Sequence, residues 1–452
     1  MKIHFIAIGG AAMHNLAIAL YKKGCIITGS DDEIFEPSKS RLDKYNLLPK
    51  EFGWFPENIN DKIDVIILGM HARKDNPELL RAQELKLQIY SYPEYLYEQT
   101  KNKKRIVVGG SHGKTTITSM IMHVLKSTDV KFDYMVGANI KGFETMVQLE
   151  ENNKIAVIEG DEYLSSPIDL TPKFHWYKPH IAILTGIAWD HINVFPTFDN
   201  YVKQFEIFIN KIEDKGKLFW FEEDEYLKKI ANKNDKIISN SYNKYEYFTD
   251  ENSQVCVKFE NKIYKMSVFG DHNMQNINAA RLACIEAGVS ETQFWETIHN
   301  FEGAAKRLQL IKETDNTSFY IDFAHAPSKL KATINALKQK YPQRKLIACI
   351  ELHTFSSLQK NFIPQYKNCM KNADIAIVYY NHDVLKHKKL PEIEEKFVEE
   401  SFGRETIVFT DTKKLKNFLT EQNFSNTNLL MMSSGNFNGI DFVKFADQLI
   451  IN

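Results

Sequence analysis

The chain has 452 residues, 43% of them hydrophobic and 25% charged, with a net charge of −1. That length exceeds what one hydrophobic core serves and points to about three domains. Near-neutral charge gives no electrostatic reason to expect nucleic acid or an anionic membrane as partner.

Residues 2–8 read as an apolar strand running into Gly9-Gly10-Ala11-Ala12-Met13, followed by a helical pattern through Leu20 that Gly24 stops. Residues 25–31 read as a second strand ending in Ser30 and Asp31, so the chain opens like a Rossmann βαβ unit. The fingerprint G-x-G-x-x-G is absent, because Ala7 and Ala12 stand where glycines belong. A NAD(P) site and a different nucleotide bound by the same strand ends both stay open, with Asp31-Asp32 near the place where an acid meets a ribose. Strands at 65–68 and 88–91 continue the alternation. A first domain, residues 1–100, closes before the basic run Lys101-Asn102-Lys103-Lys104-Arg105, which reads as a solvated linker.

The apolar run Ile106-Val107-Val108 ends in Gly109-Gly110-Ser111-His112-Gly113-Lys114-Thr115-Thr116, and a helix follows from Ile117. Strand, glycine turn and helix start make a phosphate loop: freed backbone N–H groups and the positive helix end surround an anion. Lys114 can reach the β- and γ-phosphates, and the Thr115 hydroxyl can bind Mg²⁺. The strict pattern fails at Val108, where its first glycine would stand. The next strands, 155–158 and 181–185, carry Glu159 and Asp190-His191 at their ends, a placement suited to a metal or phosphate. Residues 217–267 read as a small β region of short alternating runs. His272, Asn273 and Asn276 sit at the start of an Ala-rich helix, where they either cap it or bond an adenine edge. The central domain spans 101–301, and residues 302–452 form a second doubly wound α/β domain with Asp322 and His325 just after a strand.

Five cysteines (Cys25, Cys256, Cys284, Cys349, Cys369) are scattered without a C-x-x-C pair, which fits reduced thiols better than a disulfide frame or zinc site. Residues 1–8 do not read as a signal peptide and no apolar run reaches membrane-spanning length. A cytoplasmic protein without membrane insertion is expected.

In this order the motifs resemble the Mur ligases, which join amino acids or peptides to UDP-N-acetylmuramate in making peptidoglycan. The resemblance covers the whole chain and implies an α/β fold of three domains. These are a Rossmann-like N-terminal domain for the UDP-sugar, a P-loop ATPase domain with a small added β region, and a Rossmann-like C-terminal domain. It implies ATP and Mg²⁺ as cofactors. Gly110, Ser111, His112, Gly113, Lys114, Thr115 and Thr116 look like the family's ATP loop, with Thr115, Glu159 and His191 at its magnesium positions. His272, Asn273 and Asn276 match its adenine motif, Arg307 its nucleotide arginine, and Asp322 to Pro327 its D-Y-A-H-x-P segment. Lys114, Glu159, His191 and Arg307 would carry catalysis. Gly9, Gly10, Ala11, Ala12, Met13, Ser30, Asp31, His71 and Thr354 would meet substrate.

Within the family, residues 69–77, Tyr163 and residues 433–439 look closer to the branch that adds an L-alanyl-γ-D-glutamyl-meso-diaminopimelate tripeptide than to the branch that adds L-alanine. Ala326 and Thr354 stand where the alanine branch carries His and Arg, and His14 and Asn15 replace glycines. An open amine pocket is expected, with peptide carboxylates held by Lys360 or Arg344. The alternatives are L-alanine ligation, a folylpolyglutamate-synthase-like ligase and a non-catalytic nucleotide-binding regulator. A monomer or weak homodimer is expected.

Overall fold

The computed structural model describes residues 1–189, 194–251, 254–303, 307–403 and 405–450. Near-continuous apolar runs form parallel strands, because strands buried on both faces have no polar side to alternate with. Ile26–Ser30, Lys2–Ile6, Val65–Leu68 and Ile89–Ser91 lie in that order in a four-stranded parallel sheet.

A seven-stranded sheet follows, ordered Ile238–Tyr242, Lys217–Phe221, Ile181–Leu184, Lys104–Gly109, Ile155–Glu159, Phe132–Met135 and Val147–Gln148. All its pairings are parallel except the last. Two strands expected in the small β region, Lys217–Phe221 and Ile238–Tyr242, therefore extend this central sheet instead. Only Phe248–Thr249, Val255–Phe259 and Lys262–Lys265 form a separate antiparallel sheet. The last sheet is ordered Gln309–Glu313, Ser318–Asp322, Thr427–Met432, Lys345–Glu351, Ile375–Tyr379 and Ile407–Phe409, parallel but for its first strand.

Residues 1–187, 197–243 and 278–297 form one compact unit, which carries the first two sheets. Residues 188–196, 244–277 and 298–452 form the other, which carries the last two. No helix among the described residues is long and apolar enough to cross a membrane.

The basic run at 101–105 is solvated only in part: Lys101, Asn102 and Lys104 are exposed, but Lys103 and Arg105 are not. Arg105 is 1% exposed and already inside the Lys104–Gly109 strand. Its guanidinium donates to the carbonyls of Thr100, Lys101, Lys103, Tyr177 and Lys178 and to Glu213 Oε1 at 2.7–3.1 Å. Lys103 is buried too, its Nζ 2.5 Å from Asp133 Oδ2. A guanidinium has five N–H donors, so one side chain can satisfy carbonyls from several segments at once. Replacing Arg105 with Met strips the donor from those carbonyls. The expected loss is about 3–5 kcal/mol, the range for removing one member of a buried charged cluster. It would be read as a lowered urea midpoint by circular dichroism, and an unchanged midpoint would refute the role.

Candidate active site

The parallel strands Ile181–Leu184, Lys104–Gly109 and Ile155–Glu159 are neighbours, so their carboxyl ends share one edge, the place where open α/β sheets bind ligands. From the middle strand the chain turns at Gly110 with φ +119°, where an added Cβ would overlap Thr185 Oγ1. Gly110, not the position of Val108, makes the turn; Val108 is a buried strand residue. Ser111 N–H donates to Gly186 O at 2.9 Å, and the Thr185 hydroxyl donates to His112 O. Gly113, at φ +68°, then enters the helix Lys114–Ser127, whose first turn holds Thr115 and Thr116, with no acidic residue and no side-chain cap. That helix end is left electropositive.

Lys114 Nζ donates to Gly110 O and to Glu162 Oε2, each at 2.7 Å. Burial works against its charge, but Glu162, Asp161 and Glu159 outweigh it and hold the ammonium above the ordinary lysine pKa. Glu162 is 1% exposed, and its other oxygen accepts from Tyr201 Oη at 3.0 Å, which also meets Ser111 Oγ at 3.0 Å. Beside them Thr115 Oγ1 donates to Glu159 Oε1 at 2.8 Å, and Gly137 N–H donates to Glu159 Oε2 at 2.7 Å. A hydroxyl and a carboxylate at the mouth of a phosphate loop are hard oxygen donors of the kind Mg²⁺ takes. His191 and Asp190 lie outside the described residues. Glu162, Thr185, Tyr201 and Gly137 carry the network without having been singled out in the sequence. Only Glu162 left a signal: a buried lysine requires a nearby carboxylate, and it lies three residues after Glu159.

At the other parallel sheet of this unit, Gly10 precedes the helix Ala11–Lys22, in which Met13 is buried; Ala11 is exposed and Ala12 half-buried. Gly9 N–H donates to Asp31 Oδ2 at 2.7 Å, and Asp32 N–H to Asp31 Oδ1 at 3.1 Å. Asp31 thus holds the glycine turn itself. Ser30, 2% exposed, accepts the Ala7 and Ile8 N–H groups at its carbonyl. His14 and Asn15, in the glycine positions, tie that turn onward. His14 Nδ1 lies 2.9 Å from Gly10 O, Asn15 Nδ2 lies 2.9 Å from His14 Nε2, and Asn15 Oδ1 accepts Met146 N–H at 2.9 Å. Burial lowers the His14 pKa, in keeping with a neutral ring that donates from Nδ1 and accepts at Nε2. His71 is exposed on the loop after Val65–Leu68.

In the second unit, Asp322 ends the Ser318–Asp322 strand and accepts Leu308 N–H at 2.6 Å and Ala324 N–H at 2.7 Å. Arg307 stacks on Phe323, its Cζ 4.7 Å from the ring centroid, and His325 Nδ1 lies 2.9 Å from Phe323 O. His272 is half-buried, and desolvation lowers its pKa against the pull of Asp322 and Asp271. Asn273 Nδ2 donates to Phe269 O at 2.8 Å, fastening the turn into the helix Asp271–Glu286, and Asn276 is buried. The structure thus gathers Arg307, Asp322, His325 and His272. Thr354 follows the Lys345–Glu351 strand, its hydroxyl accepting Ser357 N–H at 3.0 Å and lying 2.9 Å from Ser357 Oγ. Arg344 is not beside it. Its guanidinium bonds Ser318 Oγ and Asp315 O before the strand begins, roughly 20 Å away along seven extended residues. The expectation that Arg344 holds a substrate carboxylate is corrected. Lys360 is exposed after the same strand as Thr354.

Two expectations follow. Burial, partly offset by the Gly9 N–H and reinforced by Asp32, pushes the Asp31 carboxyl up to about 6 from 3.8. The folded protein then binds more protons than the unfolded chain between those values, so Asp31 disfavours folding increasingly as pH rises through that window. The stability of Asp31→Asn relative to the parent is expected to rise from pH 4 to pH 6 in thermal melts, and a flat difference would remove the shift. Lys114→Met removes the ammonium that the buried Glu162 holds and should lower the melt, by about 3–5 kcal/mol in stability; in the folded variant ATP turnover should fall about 10²–10³-fold, the cost of removing one stabilising cation or donor. Normal turnover in that folded variant would sink the role of Lys114.

Comparison with known proteins agrees along the chain. Residues 2–104 match the Mur ligase family, catalytic domain; 108–284 the Mur ligase middle domain; and 306–435 the Mur ligase, glutamate ligase domain. The UDP-N-acetylmuramate–L-alanine ligase of Sulfurihydrogenibium sp. is 32% identical over 83% of this chain and 82% of its own length. That of Caldicellulosiruptor bescii is 31% identical over 83% of each. Among solved structures, the murein peptide ligase Mpl of Psychrobacter arcticus has a TM-score of 0.70 at 23% identity, covering 100% of both chains. The UDP-N-acetylmuramate–alanine ligase MurC of Thermotoga maritima has a TM-score of 0.70 at 22% identity, covering 97% and 96%. MurF of Thermotoga maritima, solved with ADP, has a TM-score of 0.63 at 16% identity, covering 88% and 97%. With a phosphate loop at the edge of its central sheet and family matches in series from residue 2 to residue 435, this chain belongs to the Mur ligase family.

Proposed function

We propose that this Mur ligase uses ATP to convert the carboxylate of UDP-N-acetylmuramate into an acyl phosphate and joins it to the amine of the L-alanyl-γ-D-glutamyl-meso-diaminopimelate tripeptide, releasing ADP and phosphate. The observation that carries the reading is the Lys114–Glu162 pair inside a glycine turn whose helix end is uncapped. Phosphoryl transfer between two anions needs positioned positive charge rather than a protein nucleophile. Lys114 supplies a fixed cation, and the Ser111 to Thr116 turn supplies backbone donors. Thr115 and Glu159 are the residues that would hold Mg²⁺, which when bound neutralises phosphate charge. In the second unit, Arg307 is the cation assigned to the nucleotide, and Asp322 keeps the segment around it in place through Leu308.

The tripeptide is favoured over L-alanine by the loop at 351–357. A free amino acid needs a close clamp on its carboxylate, and the planar fork of arginine fits that task. No arginine occurs among residues 351–357, and the Thr354 hydroxyl is already engaged with Ser357. L-alanine is the second reading, on the ground that the curated relatives above are named for it.

Phosphate release with UDP-N-acetylmuramate and ATP, with either the tripeptide or L-alanine added, separates the two. The tripeptide is expected to give the higher kcat/KM by at least tenfold, and Thr354→Arg to narrow that ratio. Faster turnover with L-alanine would overturn the tripeptide reading, and no turnover with either would overturn ligation.

A further inference from the structure

A phosphate loop holds its ligand partly through a lysine that reaches the β- and γ-phosphates. In this chain that lysine already has an anion. Lys114 Nζ lies 2.7 Å from Glu162 Oε2, and the Glu162 side chain is 1% exposed. The carboxylate takes from Lys114 the contact that a bound phosphate oxygen would take, so a phosphate has to share the ammonium with it.

The carboxylate is also held in that position. Tyr201, on the helix Phe198–Asn210 and fully buried, donates from its hydroxyl to Glu162 Oε1 at 3.0 Å, so Glu162 faces Lys114 with its far oxygen secured. The rest of this edge is no more welcoming to an anion. Glu159 is buried beside the loop, and among the described residues no ammonium or guanidinium meets it. Its oxygens accept only from the Thr115 hydroxyl and Gly137 N–H. The one lysine of the neighbourhood besides Lys114 that bonds a carboxylate here, Lys173, is spent on Asp161 at 2.6 Å. The uncapped start of the helix Lys114–Ser127 favours an anion, while Glu159 and Glu162 both oppose one. All of these residues belong to the first compact unit.

The geometry points to Glu162 as a specificity residue: an internal anion on Lys114 that makes the loop refuse metal-free polyphosphate and accept nucleotide in its Mg²⁺-bound form. This rests on the reading of Thr115 and Glu159 as the residues that would hold Mg²⁺. Lys114 has three N–H donors, of which Gly110 O and Glu162 take two, so a third remains for a phosphate oxygen. An oxygen that comes to it accompanied by a divalent cation meets Glu159 and Glu162 with its charge largely offset. An oxygen that comes alone meets the same two carboxylates in a low-dielectric interior, where like charges repel most. The loop is thereby kept from filling with inorganic phosphate or bare nucleotide, ligands that would leave phosphoryl transfer without its metal.

The test is binding rather than turnover. ADP affinity is measured by isothermal titration calorimetry, with excess Mg²⁺ and with EDTA, for the full chain and for two variants shown by circular dichroism to be folded at the assay temperature. The parent is expected to bind ADP at least about tenfold more tightly with Mg²⁺, the scale of one like-charge contact removed. Glu162→Gln keeps the side chain's shape and removes its charge. It is expected to bind metal-free ADP about tenfold more tightly than the parent does, with the Mg²⁺-bound form little changed. Tyr201→Phe keeps both charges and takes one hydrogen bond from the carboxylate. Its preference for the Mg²⁺ form should stay within about threefold of the parent's, the lower end of what one hydrogen bond contributes. Equal weakening of both ADP forms in Glu162→Gln would make the pair a structural tie and overturn the assignment. So would a loss of preference in Tyr201→Phe as large as that in Glu162→Gln. A parent that binds metal-free ADP as tightly as the Mg²⁺ form would overturn it without any variant. A parent that binds ADP in neither form would instead overturn the nucleotide reading itself.

Discussion

The interaction on which the site depends is that of a buried ammonium with a buried carboxylate, Lys114 with Glu162. A lone charge of either sign would be costly to bury there. Paired, each holds the other in one place, and the Gly110 carbonyl and the Tyr201 hydroxyl fix the remaining directions. The cation is therefore in position before any phosphate arrives, so little reorganisation is left for the moment of reaction. Glu162 also sets a condition on what binds. An anion reaching Lys114 must share it with a carboxylate, which favours a ligand that brings its own counter-charge.

Much of this was legible in the sequence because the physics involved is local. Parallel strands buried on both faces read as apolar runs, and glycines before Lys114 read as a turn onto a helix. What escaped was non-local. Tyr201 meets Glu162 from a helix with no signal of its own. Lys217–Phe221 and Ile238–Tyr242 look like any short alternating strands, and only their partners place them in the central sheet. Arg344 and Thr354 flank opposite ends of the Lys345–Glu351 strand, and distance along the chain does not show which end of the sheet a residue serves. The Asn273 amide donates to Phe269 O, a partner that the residue's place at a helix start does not reveal.

His14 and Asn15 illustrate how a departure from a glycine pattern is absorbed. Larger side chains in glycine positions ordinarily close a ligand turn. Here the imidazole and the amide spend their hydrogen-bonding groups on Gly10, on each other and on Met146, so the bulk becomes bracing for the turn. Gly9 remains required, because a Cβ there would lie 2.9 Å from Asp31 Oδ2.

Arg105 bears on how such a chain can be rearranged over evolutionary time. Multidomain proteins are commonly pictured as beads exchanged by recombination within exposed, weakly bonded connectors. At this junction the connector's own carbonyls, those of Thr100, Lys101 and Lys103, are bound by a side chain rooted in the central sheet. A crossover placed there would separate the carbonyls from their donor unless the incoming segment offered the same backbone path. The seam is thus a poor site for shuffling, and successful chimaeras would carry residues 100–105 together with the central domain.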